Sequence, residues 1–188
     1  MPEQDLKDFI KLKRGEQVKI KPQIEDIINI HLDGDIRKNI LDIVAYLREN
    51  NMPLKWYSHN GWAAKYKGGI ICQIILTFGT YLTHSWIVIP NLIHRKEYED
   101  QIINEGLQDF ILDNIFYCVH DPKSPWSGKG CDPNKRCAPR GAVTTIVGKE
   151  VYGMCRCRPN PIIGDPNTTA ISGIKKLIEL EQKAFQNK

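Results

Sequence analysis

Hydrophobic spacing divides this chain into a helical stretch, an alternating stretch and a stretch with almost no apolar pattern. After Asp33-Gly34-Asp35, which breaks the chain and supplies an N-cap, Ile36, Ile40, Ile43, Val44 and Leu47 recur at helical spacing. This predicts an amphipathic helix over 36–50, ended by Asn50-Asn51 and Pro53. Upstream, charged residues mix with Leu6, Phe9, Ile10 and Leu12, and residues 1–35 read as a weakly organised N-terminal arm with at most a short helix.

From 54 to 89 the period becomes two. Asn60-Gly61 lies between Leu54–His59 and Trp62–Lys67, a hairpin signal because a type I′ turn needs positive φ at both central positions. Gly68-Gly69 turns the chain into Ile70–Phe78, and a fourth strand, Tyr81–Ile89, ends at Pro90. Residues 94–114 read as helical, with Ile102, Ile103, Phe110 and Ile111 as the buried set and Gly106 as a break, and 115–120 as a strand. Ala142–Val147 and Glu150–Arg158 form a hairpin around Gly148-Lys149; Asp165-Pro166 opens a last helix striped by Ile171, Ile174, Ile178 and Phe185. The fold class is therefore α+β: an antiparallel meander sheet flanked by helices, with a cysteine-bearing, Pro/Gly-rich insert. We expect a single domain over 1–188, composed of the arm (1–35), a helix-plus-sheet core (36–120), a Cys-rich loop (121–141), and a hairpin with a C-terminal helix (142–188).

Composition changes this picture in two places. No run of about eighteen apolar residues exists, so no transmembrane helix is expected, and the acidic start Met1-Pro2-Glu3-Gln4-Asp5 lacks the apolar core of a signal peptide. A reducing cytoplasmic setting follows, where clustered cysteines bind metal or react more often than they pair. The net charge of +4 is concentrated: between Asp121 and Asn160 eight Lys/Arg face three acids. A domain-wide basic face is missing, which argues against nucleic acid as the partner. Cations beside cysteines also favour their thiolates.

That basic stretch coincides with the cysteines. Cys118, Cys131, Cys137, Cys155 and Cys157 fall within forty residues, and seven of the eleven prolines lie in the overlapping stretch 121–166. Between Asp121 and Arg140 the single large apolar side chain is Trp126, worth at most about 3 kcal/mol when covered. Ordering about 20 residues costs roughly 1.5 kcal/mol each, which burial does not offset. A closed zinc site supplies roughly 10–16 kcal/mol in small peptides. Four-coordinate zinc on Cys118, Cys131, Cys137 and one or both of Cys155 and Cys157 is the sharpest chemical reading, with His120 as a further donor. No Cys-x-x-Cys knuckle is present, and free structural thiols or thiol redox at Cys155-Arg156-Cys157 stay open. Cys118 and His120, at i and i+2 on a strand, do not make a triad arrangement. Cys72, among Ile70, Ile74 and Leu76, reads as core.

With Asn60-Gly61 fixing the register, one sheet face would carry Tyr57, His59, Trp62, Ala64, Tyr66, Ile71, Gln73 and Ile75. The other would carry Trp56, Ser58, Ala63, Lys65, Ile70, Cys72, Ile74 and Leu76. Tyr57, His59, Trp62, Tyr66 and Gln73 combine aromatic bodies with polar tips, the lining of a small-molecule pocket, although cross-strand packing accounts for such a set more commonly. His31, His84 and His94 have no partners at ligand spacing and read as surface or core residues.

The order helix, Leu54-Lys55-Trp56-Tyr57, Gly61-Trp62, Lys65-Tyr66-Lys67-Gly68-Gly69, with Val147-Gly148-Lys149-Glu150 and Ile174-Lys175-Lys176-Leu177 further on, resembles the uncharacterised bacterial YdhG-like domains. The resemblance implies a compact α+β fold; no binding motif of that family maps onto these residues. The function expected from the residues is a cytoplasmic, non-enzymatic binding domain with structural zinc and a sheet face for a small ligand or protein. A thiol-redox or metal-dependent enzyme on the same cysteines, and a module gripping an acidic partner through its basic loop, are the alternatives.

Overall fold

The computed structural model describes residues 3–78, 84–116, 143–152, 154 and 160–187. They form two compact units: Met1–Leu92 with Ile163–Lys188, and Ile93–Ile162. The fold is α+β, with a five-stranded antiparallel sheet and flanking helices.

The first unit starts with three short helices, α1 (Glu3–Phe9), α2 (Arg14–Ile20) and α3 (Ile24–His31). This corrects the expectation of a weakly organised arm. Phe9, Ile24, Ile27 and Ile28 are fully buried, so tertiary burial holds helices too short to be stable alone. Helix α4 (Gly34–Glu49) buries Ile40, Ile43, Val44 and Leu47 of the predicted stripe, whereas Ile36, in its first turn, is exposed; Asp33 is the N-cap residue.

Strands β1 (Leu54–Ser58), β2 (Gly61–Tyr66), β3 (Gly69–Leu76) and β4 (Trp86–Pro90) form the expected meander, and the short strand β5 (Ile163–Gly164) adds antiparallel to β4. Helix α5 (Thr168–Gln186) closes the unit; the Asn167 side chain caps it, accepting from Ala170 N at 2.9 Å. Helices α3 and α4 lie against β1, and α5 lies against β3 and β4.

The turns fall one residue earlier than the sequence suggested. Ser58 pairs with Gly61, so His59-Asn60 is the first turn, with Asn60 at φ +49°. Tyr66 pairs with Gly69, so Lys67 (φ +44°) and Gly68 (φ +87°) are the second.

The second unit holds a 3₁₀ turn (Arg95–Glu97), helices α6 (Glu99–Asn104) and α7 (Gln108–Asp113), and a hairpin of β6 (Val143–Ile146) with β7 (Lys149–Tyr152). Gly106, at φ +69°, separates the two helices as expected. The hairpin turn is Val147-Gly148, again one residue early, and it is gripped from both helices. Gln108 Nε2 donates to Val147 O at 2.5 Å, and Glu99 Oε1 accepts from Gly148 N at 2.7 Å. The expected strand 115–120 and the loop 121–141 lie largely or wholly outside the described residues.

Candidate functional site

Residues directly opposite in an antiparallel pair share a face, so the register decides what the sheet presents on each side. Trp56 pairs with Trp62, Trp62 with Ile74, Ile74 with Val88, and Val88 with Ile163. In the neighbouring rows Leu54, Ala64, Cys72 and Pro90 align, as do Leu76 and Trp86. This is the helix side. Trp62 packs on Phe9 with ring centroids 6.1 Å apart, and Tyr66 meets Phe185 of α5 edge-on at 6.2 Å. All of these strand residues except Trp56 and Tyr66 are buried, and Trp62 keeps 1% of its surface.

The opposite face is built differently. Lys55, Ala63, Gln73 and Ile89 make one cross-strand row. Gly61, Ile75, Ile87 and Gly164 make the next, and Lys65 pairs with Ile70 beyond it. Ala63 and Ile87 are buried, Gln73, Ile75 and Ile89 are half-buried, and Lys55 and Lys65 are exposed. The floor is thus apolar, with an amide at its centre and two ammonium groups along the β1–β2 edge. Among the described residues the side chains of Lys55, Lys65, Gln73 and Ser58 make no hydrogen bond or ion pair.

Two glycines shape this face. A Cβ on Gly61 would sit 2.5 Å from Ser58 Oγ, and one on Gly164 would run into the His84 ring. The imidazole therefore occupies the space a side chain would have taken beside Ile87. Its Nδ1 is 3.4 Å from Asp165 Oδ2. The Asp165 carboxylate also accepts from Ser85 N at 2.9 and 3.0 Å and from Trp86 N at 3.1 Å. Asp165 itself adopts φ +37°, a region that non-glycine residues rarely enter, and its N–H donates to Trp86 O at 3.1 Å. The pair ties the end of β5 to the start of β4.

The sequence-predicted ligand residues are distributed over both faces and the turn. Gln73 lies on the open face. Tyr57 sits at the β1 bulge between Trp56 and Ser58, 47% exposed. Trp62 is on the helix side, donating through Nε1 to Pro22 O at 3.0 Å. Tyr66 is also there, its hydroxyl accepting from Gln186 Nε2 at 3.0 Å. His59 lies in the turn, with Nε2 3.1 Å from Leu12 O. Lys55, Lys65, Ser58, His84 and Asp165 were not anticipated. His84 and Asp165 come from distant parts of the chain, and no local pattern links them.

Cys118, Cys131, Cys137, Cys155 and Cys157, the predicted metal set, lie outside the described residues. Among the described residues no group of three or more His, Cys, Asp or Glu could hold a metal ion. Cys72 is free and fully buried on the helix side, and burial pushes its thiol pKa up to about 12. Among the described residues no helix is long and apolar enough to cross a membrane. Comparison with protein-family models, curated proteins and solved structures found no match to this chain.

Proposed function

We propose that the chain is a non-enzymatic binding domain that takes a small ligand on the sheet face opposite α3, α4 and α5. The observation that carries this reading is the inequality of the two faces. One is filled by tryptophan and aliphatic side chains against helices. The other sets a Gln73 amide, without a partner among the described residues, at mid-sheet among Ala63, Ile75 and Ile89. A half-buried amide still meets water, so a hydrogen bond from a ligand there would contribute a net of about 0.5–1.5 kcal/mol. Fragment titration of the full chain followed by amide NMR tests it. Shifts concentrated at 55, 63, 73, 75 and 89 are expected; shifts confined to other surfaces overturn the reading.

Zinc on the thiolates of Cys118, Cys131, Cys137, Cys155 and Cys157 is the second part of the proposal, with a cytoplasmic setting that keeps those thiols reduced. Its support is the apolar poverty of that segment, together with the burial of Cys72, which leaves these five as the thiols available for chemistry. Elemental analysis of protein purified without chelator checks it. About one zinc per chain supports the site. Metal-free protein with reversibly oxidising Cys155 and Cys157 favours thiol redox instead.

A further inference from the structure

Resting on the reading of the open sheet face as a ligand site, we infer that its ligand is a small organic oxyanion, a carboxylate or phosphate monoester on an apolar body. The charge pattern carries this. From Asn51 through Leu92 the chain contains no aspartate or glutamate, while Lys55, Lys65 and Lys67 all lie in it. Lys67 is engaged, its Nζ donating to Phe185 O at 2.9 Å. Among the described residues Lys55 and Lys65 have no such partner, and both belong to the open face: Lys55 pairs with Ala63, and Lys65 lies two residues beyond Ala63 on β2. Diagonal neighbours of this kind stand about 7–8 Å apart, close enough for one anionic group to meet both ammonium groups.

The opposite end of the face carries its carboxylate at Asp165, already held by the Ser85 and Trp86 amides and by His84. The face is therefore polarised, with the two lysines at β1–β2 and an acid already engaged in hydrogen bonds at β4–β5. Strands lie roughly 4.8 Å apart, so Lys55 on β1 and Ile89 on β4 are separated by about 14 Å. An anion seated at the lysines would lay an apolar body of about 10 Å across Ala63 and Ile75 towards Ile89, with the Gln73 amide beneath its middle.

Three probes of equal chain length, octanoate, mono-octyl phosphate and 1-octanol, test this by NMR titration of the full chain. Both anions are expected to bind about tenfold more tightly than the alcohol, as two exposed charge contacts allow, with shifts at 55, 65, 73 and 89. The preference should shrink in high salt, where screening shortens to about 3 Å at 1 M. A K55Q/K65Q double variant should bind the anions no better than the alcohol while leaving the alcohol unchanged. Octanoate alone, or the phosphate alone, binding at the face assigns the source of the oxyanion. Equal affinity for all three overturns the anion inference and leaves the binding face intact. An anion preference that survives the double variant overturns it as well. No shifts on this face with any probe remove the binding face itself.

Discussion

Gln17 and Asn60 hold each other by two hydrogen bonds, Gln17 Nε2 donating to Asn60 Oδ1 at 2.5 Å and Gln17 Oε1 accepting from Asn60 N at 2.8 Å. Gln17 is fully buried, and its amide also donates to Phe9 O at 3.0 Å. One side chain of α2 thus satisfies the end of α1 and the β1–β2 turn together. Replacing Gln17 with Leu would keep the volume and orphan Asn60 Oδ1 and the Asn60 N–H, while Phe9 O would keep its bond from Leu12 N. We expect a loss of about 3 kcal/mol in urea unfolding of the full chain. A Gln17→Leu variant with an unchanged midpoint would show that the N-terminal helices are not anchored this way.

Asp165 performs a comparable task at the other end of the sheet. Its carboxylate accepts two backbone N–H groups and faces His84, which is about two-fifths exposed. Asp165→Asn tolerates the same left-handed backbone and removes the charge from these bonds, at an expected cost of about 1–2 kcal/mol. His84→Ala removes a single exposed partner and should cost less than about 1 kcal/mol. Thermal unfolding of both variants compares them; a larger loss in His84→Ala would reverse the assignment of roles.

These two anchors explain where the sequence was legible. Helices α4 and α5 show long apolar stripes, and spacing marks Ile40, Ile43, Val44, Leu47, Ile171, Ile174 and Ile178 as buried, but it also marks the exposed Ile36 and misses Leu177, Leu180 and Ala184. Helices α1 to α3 span seven or eight residues each, too few turns for a period to stand out. Their stability comes from Gln17, Phe9 and Pro22 meeting β1 and β2, contacts that exist only after folding. The strands were legible as elements, but all three hairpin turns were placed one residue late. In each, the residue that tolerates positive φ most readily (Asn60, Gly68 or Gly148) occupies the second central position rather than the first.

A one-residue slip exchanges the faces of a strand. Trp62 therefore stands opposite Trp56 on the helix side, and Gln73 shares its face with Lys55, Ala63 and Lys65. An antiparallel sheet with both kinds of face rich in isoleucine offers little alternation to correct such an error. The bulge at Ile71, fully buried between Ile70 and Cys72, adds a second shift that no composition rule announces.

The Cys72 thiol gives the protein a definite alkaline response. Burial holds its pKa at about 12, against 9.0 for an unperturbed thiol. Above pH 9 the unfolded chain releases this proton while the folded chain retains it, so the folded state binds more protons and stability falls as pH rises. The contribution is fully present below pH 9 and is lost progressively up to about pH 12. Tyr46, also raised by burial and next by Glu179, acts in the same direction. The Cys72 part is isolated by comparing wild type with Cys72→Ala in urea unfolding between pH 8 and 11. The variant should lose stability less steeply, by up to about 1.4 kcal/mol per pH unit; parallel curves would mean that this thiol ionises as easily folded as unfolded.

The sealed state of Cys72 also makes the proposed zinc site measurable against an internal reference. If zinc holds four of the five remaining thiolates, native protein should expose at most one of its six thiols to a thiol reagent. A strong chelator should then release the other four and leave Cys72 silent until urea is added. Cys131→Ser removes one ligand, and a three-thiolate remnant binds far more weakly, so the metal content should fall from about one zinc per chain towards zero. Cys72→Ala should retain its zinc, because that side chain lies in the helix-side row with Ala64 and Leu54. Equal metal content in the two variants would place zinc elsewhere. Five thiols reacting at once, without chelator, would mean that the sulfurs between Cys118 and Cys157 hold no ion.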